Sequence, residues 1–253
     1  MPTTEEIRHQ IRTTLEQYFS LEEALQQLEK DHFRVCIFGS ARIRPADPTY
    51  QTVYEMTRML AELGIDVVTG GGPGLMEAAN RAVQDINSQA SRSIGLPIHL
   101  PHAHELANKH LDIKSEHRRF SSRLDEFMRL SHAVVVAPGG IGTLLELVYV
   151  WQLVQVGMIP PRPIVLLDRS LWGGLLEWMR ENMLRRGFIS PGDFDSIHCA
   201  DTPEEVLSYI KVEVEKFRAE MAAKPGAEAH ERRAAQMLEQ LKDTPPPPTE
   251  NSR

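Results

Sequence analysis

Val134 to Glu146, VVVAPGGIGTLLE, is the stretch from which the rest of the chain can be read. Val134-Val135-Val136 has the β-branched composition of a buried strand. Pro138-Gly139-Gly140 breaks that strand, and Gly142 and Thr143 lead into an apolar segment, Leu144 to Val156, that stops at Gly157. Strand, glycine turn and helix start build an anion site. Glycines let backbone N–H groups approach a ligand closely, and the first helical turn adds unpaired donors and a partial positive charge. A phosphate is the natural guest, with Glu146 one turn into the helix. Thr143-Leu144-Leu145-Glu146 also has the text of a capping box. The preceding Pro-Gly-Gly-x-Gly run favours the anion site, because a plain cap needs no such run.

Working outward, the chain alternates strands and helices. Arg34 to Phe38 forms a first strand, ending at Gly39-Ser40-Ala41-Arg42. A helix from Asp47–Thr52 to Leu63 carries Val53, Met56, Leu60 and Leu63 on one face, and Gly64 ends it. A second strand, 65–69, runs into Gly70-Gly71-Gly72-Pro73-Gly74 and an Ala-rich helix over 75–86. A third strand is expected at 92–96, a helix from about 116 to 130, a fifth strand at 163–167, a helix over 171–186 and a sixth strand at 196–199. Thr202-Pro203-Glu204-Glu205 opens a last helix with a capping threonine, Pro at the first helical position and Glu at the third. It runs to about Phe217 or beyond.

Such alternation predicts an α/β fold, a doubly wound parallel sheet with helices on both faces and strand order 3-2-1-4-5-6. In that order the turns after strands 1 and 4 face each other across a crevice, and the glycine turn after strand 2 lies beside them. The expected organisation is an N-terminal helical extension over 1–31 with a break near Ser20, a nucleotide-binding domain over 32–217 and a mobile tail over 218–253. The tail holds four prolines from Pro245 to Pro248 and a helical piece at 227–241.

The 253 residues are 42% hydrophobic and carry a net charge of −7, which argues against nucleic acid or an anionic membrane as partner. Cys36 and Cys199 fall in predicted strands and read as buried free thiols. With no signal-peptide core and no apolar run of about 18 residues, a cytoplasmic location is expected.

Several chemistries are excluded by pattern. Gly-x-Gly-x-x-Gly is absent after the first strand, neither glycine run continues into Gly-Lys-Ser/Thr, and no Ser sits in Gly-x-Ser-x-Gly. His99, His102 and His104, with His110 and His117 nearby, match no zinc spacing, so no metal is expected. Carboxylates and arginines remain. The basic segment Lys114 to Arg123 precedes the fourth strand. If Phe120 faces the core, Arg123 lies on a nearby face from which it can reach the crevice. A cation and a carboxylate around a phosphosugar suggest acid–base and electrostatic chemistry at its anomeric carbon.

Pro138 to Glu146 fits PGGxGTxxE, and on it the chain resembles the LONELY GUY (LOG) family of Rossmann-like proteins, long mislabelled as lysine decarboxylases. The resemblance extends over roughly residues 33–215. It takes in Phe38 to Arg42, Gly70 to Met76, and Leu100-Pro101 through Glu105 and Asn108. It implies a phosphoribohydrolase that cleaves a nucleoside 5′-monophosphate, AMP or a cytokinin riboside 5′-monophosphate, to free base and ribose 5-phosphate, without a cofactor. It also implies Arg123 and Glu146 as the catalytic pair. Pro138, Gly139, Gly140, Gly142 and Thr143, with the Thr143 hydroxyl, would hold the phosphate. Gly71, Gly72 and Gly74 would close round the phosphosugar, and Gly39, Ser40 and Arg42 would line the base or ribose side. Two positions depart from the plant-type pattern: Leu124 stands where that pattern has Lys, and Leu145 where it has Glu.

The alternative function is a non-catalytic nucleotide or molybdenum-cofactor carrier. A pyridoxal-phosphate decarboxylase is disfavoured because no lysine sits at a phosphate-binding glycine turn. Leu144, Leu147, Val148, Trp151 and Val154 are apolar around much of their helix, so core packing and a homodimer or higher homo-oligomer interface are both open. Trp172 and Trp178 read as core or interface anchors.

Overall fold

The computed structural model describes residues 32–86, 90–99 and 106–223. The expected N-terminal helices, His102, His104 and the 227–241 helix lie outside the described residues. The chain divides into two units, Phe33–Phe217 and a second made of Met1–His32 with Arg218–Arg253. The described residues lie in the first unit, apart from His32 and residues 218–223.

Its elements alternate as expected. They are β1 (Arg34–Phe38), α1 (Pro48–Glu62), β2 (Asp66–Thr69), α2 (Leu75–Ile86), β3 (Ser93–Gly95), β4 (Ile113–Lys114), α3 (Phe120–Leu130), β5 (Ala133–Val136), α4 (Ile141–Gln155), β6 (Ile164–Leu167), α5 (Arg169–Met179), β7 (Ile197–Ala200) and α6 (Pro203–Ala223). All seven strands run parallel in the order β4-β3-β2-β1-β5-β6-β7. The expected six-strand order is preserved, with one strand added. β4, two exposed residues paired to Ile94 and Gly95, extends the edge. It is too short and too polar to carry a strand pattern in the sequence.

Sequence explains the layers. Along β1, Val35 and Ile37 face one apolar cluster while Cys36 and Phe38 face another. Alternation places successive side chains on opposite faces, and crossover helices must cover both. α1, α2 and α6 cover the first face through Val53, Met56, Leu60, Ala78, Ala79 and Ile210. α3, α4 and α5 cover the second through Phe127, Leu147, Trp151 and Trp172. Full burial of one such side chain is worth roughly 1.5–3 kcal/mol.

Local signals set the helix ends. Asp47 caps α1, its side chain accepting from Thr49 N at 2.8 Å. Thr202 Oγ1 accepts from Glu205 N at 3.3 Å at the start of α6. The reciprocal Glu205 bond goes to Asp201 N, at 2.8 Å, rather than to Thr202. Two expectations are corrected. Cys199 is only partly buried, because β7 is an edge strand; Cys36, on central β1, is fully buried. Helix α5 ends at Met179 and passes into a π-helical turn, Arg180–Leu184. Trp172 is in the core, but Trp178 is exposed. None of the described helices is long and apolar enough to cross a membrane.

Candidate active site

The crevice forms where β1 and β5 lie side by side and the helices that follow them, α1 and α4, leave on opposite faces. The backbone stitches three turns together there. Ser40 N donates to Pro138 O at 3.0 Å, and Ser40 O accepts from Leu75 N at 3.0 Å. Ser40 therefore ties the turn after β1 to those after β5 and β2. Its hydroxyl accepts from Arg42 N at 3.1 Å, leaving the Arg42 side chain exposed. Gly39 packs against Leu75 and Ala137. Gly74 has φ +71°, and a Cβ there would strike the Ser40 carbonyl oxygen, so this junction requires glycine.

Helix α4 starts at Ile141, with Gly140 as N-cap and no capping side chain. Thr143 is thus the third helical residue and not a cap, which removes the capping-box reading of Thr143 and Glu146. The N–H groups of Ile141, Gly142 and Thr143 occupy the first turn, where no intrahelical acceptor exists; the first helical bond is Leu144 N to Gly140 O at 2.9 Å. Thr143 is 4% exposed and its hydroxyl lies against Gly139, where a Cβ would overlap it. Gly140 and Gly142 have open space where a side chain would stand. The glycine run thus presents a bare, donor-rich helix start.

Arg123 comes from α3. Phe120, expected to face the core, is 51% exposed; the buried stripe begins a turn later, with Arg123, Leu124, Phe127 and Met128. Arg123 itself is 9% exposed. Its Nε donates to Leu96 O at 2.7 Å and Nη2 to Gly70 O at 3.4 Å, and the guanidinium lies 5.1 Å from the Phe127 ring centroid. Nη1 stands 3.8 Å from Glu146 Oε1. A Cβ on Gly70 would overlap the guanidinium, so Gly70 leaves the room in which Arg123 lies. Cys36 is buried nearby. Burial first, then the Glu146 charge, pushes its thiol pKa up, opposed by Arg123.

Gly71, Gly72 and Gly74 are buried at the C-terminal end of β2, with Gly71 at φ +70° beneath Leu111 and Pro97. The two departures from the plant-type pattern separate cleanly. Leu124 is 7% exposed and belongs to the core, while Leu145 is 45% exposed on the surface of α4. Of the histidines described, His99 pairs with Glu116 at 3.1 Å and His110 with Gln84 at 3.2 Å. Among the described residues no group of three or more His, Cys, Asp or Glu side chains is placed to hold a metal. A separate groove of about 460 Å³, lined by Arg162, His198, Tyr209 and Lys216, lies where β6 and β7 begin, away from the strand C-termini at which such sheets bind ligands.

Sequence reasoning missed Asn80, which is fully buried on α2 and bonded to Thr69, Ser93 and Asn108. A polar residue beside the buried Ala78, Ala79 and Ala82 was the available signal.

Comparison with known proteins places the chain in a family. The family described as possible lysine decarboxylase matches residues 76–210. The cytokinin riboside 5′-monophosphate phosphoribohydrolase LOG of Oryza sativa subsp. japonica is 34% identical over 188 residues, 73% of this chain and 75% of that protein. The phosphoribohydrolase LOG3 of Arabidopsis thaliana is 29% identical over 191 residues, 74% and 86% of the two chains. Among solved structures, the molybdenum cofactor binding protein of Rippkaea orientalis superposes with a TM-score of 0.55 at 18% identity, covering 72% of this chain and 98% of that one, a likeness of fold alone. On the matched segment and these relatives, the chain belongs to the family described as possible lysine decarboxylase, the LOG family.

Proposed function

We propose that this protein is a phosphoribohydrolase that cleaves the N-glycosidic bond of a nucleoside 5′-monophosphate, with AMP and cytokinin riboside 5′-monophosphates as the substrate class. The observation that carries the reading is the Arg123–Glu146 pair, 3.8 Å apart, beside the bare N-terminus of α4. In this account the first-turn N–H groups of α4 and the Pro138–Thr143 turn hold the 5′-phosphate. The Gly71–Gly74 turn closes round the phosphosugar, and Gly39, Ser40 and Arg42 line the ribose or base. The bond between the anomeric carbon and the base nitrogen breaks, its electron pair leaving with the base. Glu146 stabilises the positive charge developing on the ribose and orients the attacking water, whose hydroxyl goes to the anomeric carbon. Arg123 contacts the substrate and assists departure of the base, which takes up a proton. No cofactor enters the scheme.

The carrier alternative shares the fold but gives a cation–carboxylate pair no task. The proposed catalytic domain is 32–217. Exposed Ile141, Leu145 and Val148, spaced along one face of α4, support assembly into a homodimer or larger homo-oligomer, which light scattering of the purified chain tests. Incubation with a panel of nucleoside monophosphates tests the activity. Free base and ribose 5-phosphate are expected, and binding without cleavage would favour the carrier.

A further inference from the structure

Beside the Gly70–Gly74 turn lies a chain of polar side chains, all buried but the half-buried Asn108, that the proposed cleavage does not use. Thr69, Asn80 and Ser93 are all fully buried. Asn80 Oδ1 accepts from Thr69 Oγ1 at 2.7 Å and from Asn108 Nδ2 at 2.9 Å, while its Nδ2 donates to Ser93 Oγ at 2.9 Å. Thr69 Oγ1 in turn accepts from Gly71 N at 2.9 Å, and Ser93 Oγ donates to His110 O at 2.6 Å. Asn108 closes the set. Its Nδ2 also donates to Gly72 O at 2.9 Å, its Oδ1 accepts from His110 N at 3.0 Å, and its own N–H donates to Gly71 O at 2.8 Å.

Every one of these side chains is satisfied, and the pattern orients both amides: each oxygen faces donors and each nitrogen faces acceptors. Apolar residues could fill the same space without directional demands. A satisfied buried network instead selects one backbone conformation. What it selects is the turn, through Gly71 N, Gly71 O and Gly72 O. The effect reaches the arginine. Gly70 O and Leu96 O, which both accept from Arg123, lie at the start of this turn and just past β3, the two segments that Asn80 ties together through Thr69 and Ser93.

We propose that Asn80 and Asn108 are positioning residues for phosphoribosyl cleavage, holding the Gly70–Gly74 turn in the conformation that receives the phosphosugar and seats Arg123. The proposal rests on the reading of Arg123 and this turn given above.

The test uses the full chain with Asn108→Ala, Asn108→Asp and Asn80→Asp, assayed on AMP beside Ile210→Ala, a core variant in α6 that lowers melting temperature without touching the site. Asn108→Ala is expected to lower kcat/KM about tenfold or more, through both a higher KM and a lower kcat, whereas Ile210→Ala lowers melting temperature alone. Asn80→Asp loses the donor to Ser93 and is expected to behave similarly. Asn108→Asp sets a carboxylate against Gly72 O and Asn80 Oδ1. Its activity relative to the native chain should recover as pH falls through the carboxyl titration, when the acid regains a donor. Native kcat/KM in all three variants, with only melting temperature changed, overturns the proposal. If the native chain cleaves no monophosphate, the hydrolase reading fails separately. AMP affinity then replaces kcat/KM, and unchanged affinity in Asn108→Ala overturns the positioning role.

Discussion

Arg123 Nη1 lies 3.8 Å from Glu146 Oε1, and the two residues stand on the helices that immediately precede and follow β5. One central strand thus sets both. The arginine is fixed further by the Leu96 and Gly70 carbonyls, while the glutamate rides one turn inside α4. A guanidinium held by carbonyl oxygens cannot turn away from the crevice without leaving buried acceptors unmet, so the pair is organised before any ligand arrives.

Glu146→Gln keeps shape and removes charge. Glu146 is partly exposed on a helix whose core side is held by Leu147, Val150 and Trp151, so folding should survive. Base release, followed by chromatography, should fall by about two orders of magnitude or more, with the circular dichroism spectrum unchanged.

Arg123→Lys should not substitute. The three donors of a lysine share one nitrogen and cannot span two carbonyls and a carboxylate as the planar fork does. The expected outcome is at least about a tenfold loss of kcat/KM, with stability lower by about 1–2 kcal/mol in urea unfolding as the bond to Leu96 O is lost.

The glycines of the signature should separate by steric role. A Cβ at Gly139 meets Thr143 atoms at 2.5 and 2.8 Å, whereas Gly142 has nothing within 4 Å. Gly139→Ala should destabilise the fold by about 1–3 kcal/mol. Gly142→Ala should leave the melting temperature unchanged or raise it slightly, since alanine is the better helix former. Differential scanning calorimetry of the two variants checks both signs.

The sheet order and the crevice were legible because strands such as β2 and β5 are short β-branched runs and two of the helices, α1 and α4, are stopped by glycines, Gly64 and Gly157. The glycine turn between β5 and α4 was legible because strand, turn and helix occur in contiguous text. The start of α4 at Ile141 was not legible, since glycine as N-cap leaves no side-chain signal, whereas Thr143 supplies a false one. Phe120 misled for a related reason: an aromatic reads as core, but here it precedes the stripe that packs. The Asn80 network joins residues of α2, β2, β3 and the segment before β4, and no local pattern links partners so far apart. With Phe120 exposed, the helical spacing from Phe120 gives no support to Arg123, which was legible through its place before β5 and the family resemblance.

Stability should depend on pH through His132. Its Nδ1 accepts from Arg34 N at 3.0 Å and its ring stacks on Phe33, centroids 5.2 Å apart. Burial first, then the Arg34 and Arg162 charges, lowers its pKa from 6.5 to about 4. The unfolded chain therefore takes up this proton first. Stability is at its full value above about pH 6.5 and falls as pH drops toward 4, by about 3 kcal/mol at most. Urea unfolding at pH 7 and 4.5 should show a smaller drop in His132→Asn, whose amide oxygen can accept the same bond without titrating.

The most direct measurement is product analysis of the purified chain with AMP, cytokinin riboside 5′-monophosphates and the other common nucleoside monophosphates, run beside Glu146→Gln. Equimolar free base and ribose 5-phosphate are expected from at least one of them, lost in the variant. Binding of these nucleotides with no release of base from any, or undiminished release by Glu146→Gln, would contradict it.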